Sequence, residues 1–178
     1  MKNLPNIITS IRLLLIPVFS YYLCEKQYLI AFLVFAIAAF SDVLDGYLAR
    51  KFNAISNFGK LCDPLADKAL QLSAVIILFL IGKLSIIFVL ILFVKELLLI
   101  VGGILLYKRK LIVPAQWYGK LSSLTLNSAI AATILFEMSN MYTNILIGIS
   151  IFVTLFAFIL YSINYTKIYK AHKKESII

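Results

Sequence analysis

Long apolar segments separated by short polar breaks run along most of this chain. Six segments can be drawn, each close to the roughly 20 residues that a helix needs to cross a hydrocarbon core about 30 Å thick. They span residues 6–24, 28–50, 60–82, 84–107, 120–138 and 143–166. None alternates apolar and polar residues with a period of two, and a backbone in lipid must satisfy its own hydrogen bonds, so helices are favoured over barrel strands. The pattern predicts an all-α, six-helix transmembrane bundle that forms a single domain over residues 1–178.

The composition excludes several classes of protein. Of the 178 residues, 62% are hydrophobic and only 14% are charged, and a water-soluble domain of this size could not hide so much apolar surface. The single histidine, His172, excludes zinc sites built from histidines and Ser-His triads. Cys24 and Cys62 lie in or beside apolar segments, and we expect two small buried side chains there and not a disulfide framework.

The distribution of positive charge predicts the topology. The net charge is +9, and nearly all lysines and arginines fall on one side when the six segments cross in alternate directions. Lys26 and Lys83 fall on the other side, and Lys95 falls inside the fourth segment. By the positive-inside rule, both termini are cytoplasmic in a multi-pass protein of the cell membrane. The expected partners of this charge are membrane lipids and not nucleic acid.

Four of the eight acidic residues, Asp42, Asp45, Asp63 and Asp67, cluster around the break between the second and third segments. On helices, Asp42 and Asp45 share one face, and Asp63 and Asp67 lie one turn apart on another. The intervening connection is short enough to keep the two helices antiparallel and adjacent, so the two aspartate faces can oppose each other.

Four opposed carboxylates near a membrane surface would repel one another unless cations neutralised them. Ligands that are all oxygen suit Mg²⁺ or Mn²⁺, and four aspartates can hold two such ions about 3.5 to 4 Å apart, as in two-metal phosphoryl transfer. Arg50 adds a planar donor fork for phosphate. A divalent-cation transporter is the other interpretation, but transport sites usually lie near the bilayer midplane, whereas these aspartates lie toward the cytoplasmic third.

The aspartates belong to a longer motif. It reads Asp42-x-x-Asp45-Gly46-x-x-Ala49-Arg50, then eight residues, then Gly59-x-x-x-Asp63-x-x-x-Asp67. This spacing resembles the complete signature of the CDP-alcohol phosphotransferase family. The six-segment layout and the opening Pro5-Asn6-Ile7-Ile8-Thr9 with Arg12 extend the resemblance over most of the chain.

The resemblance implies a membrane enzyme that transfers a phosphatidyl group from CDP-diacylglycerol to an alcohol and releases CMP. Members that use glycerol 3-phosphate are the most similar, and transfer to phosphatidylglycerol or another alcohol is the alternative. By position, Asp42, Asp45, Asp63 and Asp67 would bind two divalent ions, Mg²⁺ or Mn²⁺. Asp67 would also be the catalytic base that takes the proton from the attacking hydroxyl. Dimers are common in the family, so a homodimer is a possible assembly.

The same resemblance implies the substrate contacts. Contacts to CDP-diacylglycerol are expected from Gly46, Arg50, Ser56, Asn6 and Thr9. Contacts to a polyol-phosphate or lipid acceptor are expected from Lys120, which follows Gly119, and from Lys95.

Simpler structural roles compete with some of these assignments. Lys95 and Glu96 also fit a structural ion pair inside the membrane. Ser56 also fits a helix cap. Trp117 and Tyr118 fit an interfacial aromatic belt near the end of a span.

Overall fold

The computed structural model describes the backbone of residues 4–51, 57–108 and 116–175, and the side chains of residues 10–41, 65–104 and 116–166. Over these residues it contains six α-helices and no strand. The helices are α1 (Leu4–Cys24), α2 (Tyr28–Lys51), α3 (Asn57–Leu80), α4 (Ile86–Lys108), α5 (Trp117–Leu135) and α6 (Asn140–Glu175). The predicted all-α class is confirmed for the described part of the chain, and each predicted segment corresponds to one helix.

The connection between α3 and α4 is longer than the predicted break. It contains Gly82, whose φ of 76° is a left-handed conformation that costs glycine little. The backbone N–H of Ser85 donates a hydrogen bond to Oδ1 of Asn144 on α6, at 3.1 Å. Because a side chain from another helix satisfies this donor, α4 begins at Ile86 and not at residue 84.

The sequence predicted six membrane-spanning helices, but fewer helices are clearly long and apolar enough to cross a membrane. Within the described residues, two stretches are long and apolar enough to span a bilayer, Ile86–Ile104 of α4 and Asn140–Thr166 of α6. Ser10–Cys24 and Tyr28–Ser41 are apolar but shorter. The stretches on α1 and α2 reach the limits of the described side chains, residues 10 and 41, whereas on α5 polar side chains interrupt the apolar pattern.

The outer surface of the bundle is strongly apolar. Large side chains on α4 are about half exposed along its length, including those of Leu90, Val94, Leu98 and Val101. Exposed apolar area on this scale marks a surface that meets lipid or another apolar partner. Together with the two long apolar helices, it indicates a membrane protein.

Close packing of α1, α2 and α3 forms much of the core. Phe19 on α1 and Phe35 on α2 are buried, with ring centroids 5.4 Å apart. Ala31 and Ala38 on α2 and Ala74 on α3 are fully buried, and such small side chains let helix backbones approach closely. α1 contacts both α2 and α3, and α5 contacts α2, α3 and α6. This packing places α3 at the centre of the bundle, between α1, α4 and α5.

Hydrogen bonds join the α3–α4 and α5–α6 connections at one end of the bundle. Lys83 Nζ donates to the carbonyl of Met138 at 3.2 Å and lies 4.5 Å from the ring centroid of Tyr28. Asn140 Nδ2 donates to the carbonyl of Gly82 at 2.9 Å. Lys83, Tyr28 and Met138 are called the Lys83 cluster below. Cys24, at the end of α1, is exposed, so the expectation that it is buried is wrong, because α1 ends there and the chain turns.

Candidate active site

The predicted metal ligands lie on two helices that contact each other. Asp42 and Asp45 are in the second half of α2, and Asp63 and Asp67 are in the first half of α3. The helix α2 is continuous through both of its aspartates, as the motif requires. Of these four residues, Asp67 is the one whose side chain falls within the described set.

The predicted donor contacts are spread over α1, α2 and the connection that follows. Asn6 and Thr9 lie in the first turns of α1, and Gly46 and Arg50 lie near the end of α2. Their side-chain positions fall outside the described residues, and Ser56 falls outside them altogether. Because α1 packs on both α2 and α3, the helices that carry these positions are neighbours.

Asp67 is half-buried and faces the ammonium group of its neighbour Lys68. Lys68 Nζ lies 3.7 Å from Asp67 Oδ2, and the side chains of Lys68 and Asp67 are 29% and 17% exposed. The distance is longer than a hydrogen bond but within the range of an ion pair. The positive charge of Lys68 therefore stands directly beside the predicted catalytic base.

Neutral groups from α3 and α5 hold the Lys68 ammonium. Lys68 Nζ donates to Ser123 Oγ at 3.1 Å and to Gln71 Oε1 at 3.3 Å. Gln71 in turn donates through Nε2 to Asn127 Oδ1 at 3.0 Å. These hydrogen bonds join the middle of α3 to α5. They also satisfy polar side chains that would otherwise lack partners inside an apolar bundle.

A second lysine reaches the same group of residues from α4. Lys95 Nζ forms a short hydrogen-bonded ion pair with Glu96 Oε1, and Lys95 is only 6% exposed. The same oxygen, Glu96 Oε1, lies 3.6 Å from Lys68 Nζ. Lys95, a predicted acceptor contact, is therefore already paired with Glu96, and this pair is linked through Lys68 to Asp67. Asp67, Lys68, Gln71, Lys95, Glu96, Ser123 and Asn127 are called the Lys68 cluster below.

The sequence reasoning did not select Lys68, Gln71, Ser123 or Asn127. The available signal was polar spacing inside apolar helices, since Lys68 and Gln71 are three residues apart and Ser123 and Asn127 are four apart. Polar residues that repeat on one face of a membrane helix usually face the bundle interior. That signal indicates which face is polar, but it does not reveal which residues pair.

Lys120, the other predicted acceptor contact, lies in the first turn of α5 and is exposed. The start of α5 is fixed against α6 next to it. A Cβ atom on Gly119 would lie 2.5 Å from Tyr161 Oη, which accepts a hydrogen bond from the backbone N–H of Gln116 at 3.2 Å. The absence of a side chain at Gly119 thus lets α5 approach the ring of Tyr161 closely.

The two aromatic residues at the start of α5 have different environments. Trp117 is 70% exposed, as expected of an interfacial aromatic residue. Tyr118 is 7% exposed, packs edge-on against Tyr161 and accepts a hydrogen bond from Asn164 Nδ2 at 2.8 Å. The interfacial interpretation is therefore wrong for Tyr118, because α5 packs against α6 with the side of the helix that carries this residue.

The chemistry of the predicted metal ligands suits a hard divalent ion, because all four are carboxylates and Asp67 retains some exposure. Among the side chains that the structure describes, no group of three or more histidine, cysteine, aspartate or glutamate residues could hold a metal ion. Asp42, Asp45 and Asp63 fall outside that set.

The sequence matches a known family over most of its length. The family model of CDP-alcohol phosphatidyltransferases matches residues 2–161. The chain therefore belongs to this family, and the predicted family and enzyme class, a transferase of phosphatidyl groups, are confirmed. Members of the family generally depend on divalent metal ions.

Individual relatives point to one branch of the family. A CDP-diacylglycerol–glycerol-3-phosphate 3-phosphatidyltransferase of Aquifex aeolicus is 36% identical over 124 residues, which cover 68% of this chain and 70% of the relative. One of Mycoplasma genitalium is 42% identical over 92 residues, covering 52% of this chain and 39% of the relative. A probable phosphatidylglycerophosphate synthase of Mycobacterium tuberculosis is 34% identical over 139 residues, covering 75% of this chain and 66% of the relative. The chain thus spans about two thirds of two of these relatives and a smaller share of the third.

Proposed function

We propose that this protein transfers the phosphatidyl group of CDP-diacylglycerol to glycerol 3-phosphate, forming phosphatidylglycerophosphate and CMP. The observation that carries the proposal is the aspartate motif on two consecutive, contacting helices, inside a region that matches the family. The names of the similar proteins of Aquifex aeolicus and Mycoplasma genitalium support glycerol 3-phosphate as the acceptor. The reaction is a step in the synthesis of anionic phospholipids.

In this proposal, Asp42, Asp45, Asp63 and Asp67 hold two divalent cations, Mg²⁺ or Mn²⁺. When bound, such ions supply positive charge that balances the diphosphate of the donor and the charge that develops on the leaving group. The carboxylates of these four aspartates provide the all-oxygen ligand set that these ions prefer.

Asp67 acts as the general base in the proposed reaction. Its carboxylate takes the proton from the attacking hydroxyl of glycerol 3-phosphate. The hydroxyl oxygen forms a bond to the phosphorus that carries the diacylglycerol, and the bond from that phosphorus to the oxygen of CMP breaks. The partial exposure of Asp67 is consistent with this role, since the base must be reached by a water-soluble acceptor.

Substrate binding is assigned to residues on α1, α2, α4 and α5. Gly46, Arg50, Ser56, Asn6 and Thr9 are proposed to contact the CDP part of the donor. Arg50 suits this role because its planar guanidinium can donate two parallel hydrogen bonds to phosphate. For the acceptor we propose Lys120, whose side chain is exposed, and Lys95, whose ammonium would have to be shared with Glu96.

We further propose that all six helices cross the cell membrane and that residues 1–178 act as one domain. Both termini and the active site then face the cytoplasm, where glycerol 3-phosphate and CMP are dissolved. The diacyl chains of the donor remain in the lipid that surrounds the apolar exterior of the bundle. A homodimer is compatible with this arrangement.

The test is a panel of acceptors with purified protein. CDP-diacylglycerol and Mg²⁺ or Mn²⁺ are supplied with glycerol 3-phosphate, phosphatidylglycerol, serine or inositol phosphate, and both CMP and the lipid product are identified. We expect phosphatidylglycerophosphate with glycerol 3-phosphate. If a lipid product forms only with phosphatidylglycerol, the acceptor is phosphatidylglycerol and not glycerol 3-phosphate. If no acceptor in the panel leads to release of CMP, the proposed function is contradicted. Omission of the metal is expected to abolish activity.

A further inference from the structure

Lys68 occupies a position that the proposed reaction does not yet explain. Its ammonium group lies within 4 Å of groups on three helices: Asp67 and Gln71 on α3, Glu96 on α4 and Ser123 on α5. An ammonium has three N–H groups and a single charge. Ser123 and Gln71 accept two hydrogen bonds, so the ammonium is anchored by neutral partners while its charge lies between two carboxylates.

The two carboxylates beside Lys68 differ in how they are held. Glu96 is buried, and its Oε1 already accepts a hydrogen bond from Lys95, so Glu96 is fixed from α4. Asp67 is more exposed and, as a proposed metal ligand and base, must present its oxygens in a defined direction. A fixed cation on one side of the Asp67 carboxylate restricts its rotation by electrostatic attraction.

We propose that Lys68 is a positioning residue that orients the Asp67 carboxylate, and that Glu96 holds Lys68 in the place from which it does so. The inference rests on the proposed role of Asp67 in the transfer. It links α4 and α5, on which the proposed acceptor contacts Lys95 and Lys120 lie, to the base on α3. Lys68 itself touches no reacting atom in this scheme.

The first test replaces Lys68 by Met, which keeps an unbranched side chain one atom shorter and removes the charge. Glu96 stays paired with Lys95 in this variant, so the bundle keeps its buried ion pair. We expect kcat to fall about 10- to 100-fold, because misplacement of a reacting group by about 1 Å can cost about 100-fold. The KM for glycerol 3-phosphate and the equilibrium affinity for CDP-diacylglycerol should stay within about 3-fold of wild type, since positioning acts on the chemical step.

Two further variants separate positioning from support of the fold. Lys68→Arg keeps the charge and is expected to recover most of the lost kcat. The matched control is Lys83→Met, which removes a lysine with structural contacts just beyond the C-terminal end of α3. It should lower thermal stability but leave kcat within about 2-fold. A kcat for Lys68→Met that is also within about 2-fold of wild type would overturn the inference, as would an equal loss of donor affinity.

A double-mutant cycle tests the role of Glu96. Glu96→Gln keeps the shape of the side chain and removes its charge, and alone it should lower kcat by no more than Lys68→Met does. Because the variant also leaves the buried Lys95 ammonium without its carboxylate, kcat is measured well below its melting midpoint. If Glu96 acts through Lys68, adding Glu96→Gln to Lys68→Met should lower kcat by no more than about 2-fold further. If the fold-losses in kcat of the two single variants multiply in the double variant, the link between Lys68 and Glu96 is overturned.

The proposed function and this inference can fail separately. If wild type transfers to a different alcohol, the acceptor assignment fails, and the kcat comparison is made with that alcohol. If wild type releases no CMP with any acceptor, the proposed function fails, and crystal structures of wild type and Lys68→Met then decide the inference. We expect one position for the Asp67 carboxylate in wild type and a different or divided position in the variant. The same single position in both would overturn it.

Discussion

Two lysines, one in the middle of α3 and one just beyond its end, illustrate two different uses of the same side chain. Lys68 contacts other side chains, two of them carboxylates, on three helices. Lys83, just beyond the end of the helix, contacts a backbone carbonyl and an aromatic ring. A backbone carbonyl and a protonated tyrosine carry no net charge, whereas ionised carboxylates carry a charge and take part in proton transfer and in metal binding. The Lys83 cluster therefore joins connections together, while the Lys68 cluster places charge beside a reactive group.

The largest expected effect concerns the buried ion pair of the Lys68 cluster. Glu96→Ala leaves the buried ammonium of Lys95 without its carboxylate, and breaking a buried pair in this way costs about 3 to 5 kcal/mol. Thermal unfolding in detergent should show a large drop in the midpoint. Replacing both partners, Lys95→Met with Glu96→Leu, should restore most of the stability, because no unpaired charge remains. A double variant as unstable as Glu96→Ala would contradict this explanation.

The next effect concerns catalysis. Asp67→Asn keeps the size of the side chain but cannot accept the proton, so we expect kcat to fall by about 100-fold or more, while binding of CDP-diacylglycerol is retained. Steady-state release of CMP and equilibrium binding of the donor measure the two quantities. Glu25→Gln makes the same chemical change at an exposed residue beyond the end of α1 and should leave both unchanged. Loss of donor affinity with unchanged kcat would rule out the role of base.

A smaller effect is expected where α5 meets α6. Gly119→Ala forces the Tyr161 ring to move, and the overpacking should lower the free energy of unfolding by about 1 to 2 kcal/mol. Gly103→Ala is the control, because a Cβ atom there meets nothing within 4 Å. That change should be neutral or stabilise the helix by up to about 1 kcal/mol. Equal thermal unfolding midpoints for Gly119→Ala and Gly103→Ala would show that the contact with Tyr161 does not restrict the residue at position 119.

The smallest effect belongs to the Lys83 cluster. Lys83→Met removes a hydrogen bond to the Met138 carbonyl, and we expect a stability loss of about 1 kcal/mol. Lys26→Met, at an exposed lysine in the α1–α2 connection, should change the melting midpoint less. A kcat for Lys83→Met as low as that for Lys68→Met would remove the distinction between the two clusters.

The sequence predicted the helices well because each depends on a local property. Apolar runs of membrane length located all six helices, and the aspartate motif identified the family because its spacing lies within two neighbouring helices. The end of α3 and the start of α4 were less predictable. The donor at Ser85 is satisfied by Asn144, which is 59 residues away, and nothing near Ser85 in the sequence indicates this partner.

The Lys68 cluster could be predicted only in part, for a related reason. The pairing of Lys95 with Glu96 is local, and the sequence reasoning included it as an alternative. The contact between Lys68 and Glu96 depends on how far α3 and α4 are rotated about their axes, which apolar periodicity leaves undetermined. The burial of Tyr118 has the same origin, because only the packing of α5 against α6 decides which side of the helix is covered.

The contact between Gly119 and Tyr161 has a mechanical consequence. Backbone and ring lie close together with no intervening side chain, so the beginning of α5 cannot slide or tilt toward α6 without moving the Tyr161 ring. Lys120 is the next residue, so the part of α5 that carries its ammonium group is packed directly against α6. A change in the inclination of α6 within the bilayer, for example in lipids of another thickness, would be transmitted to the position of that charge.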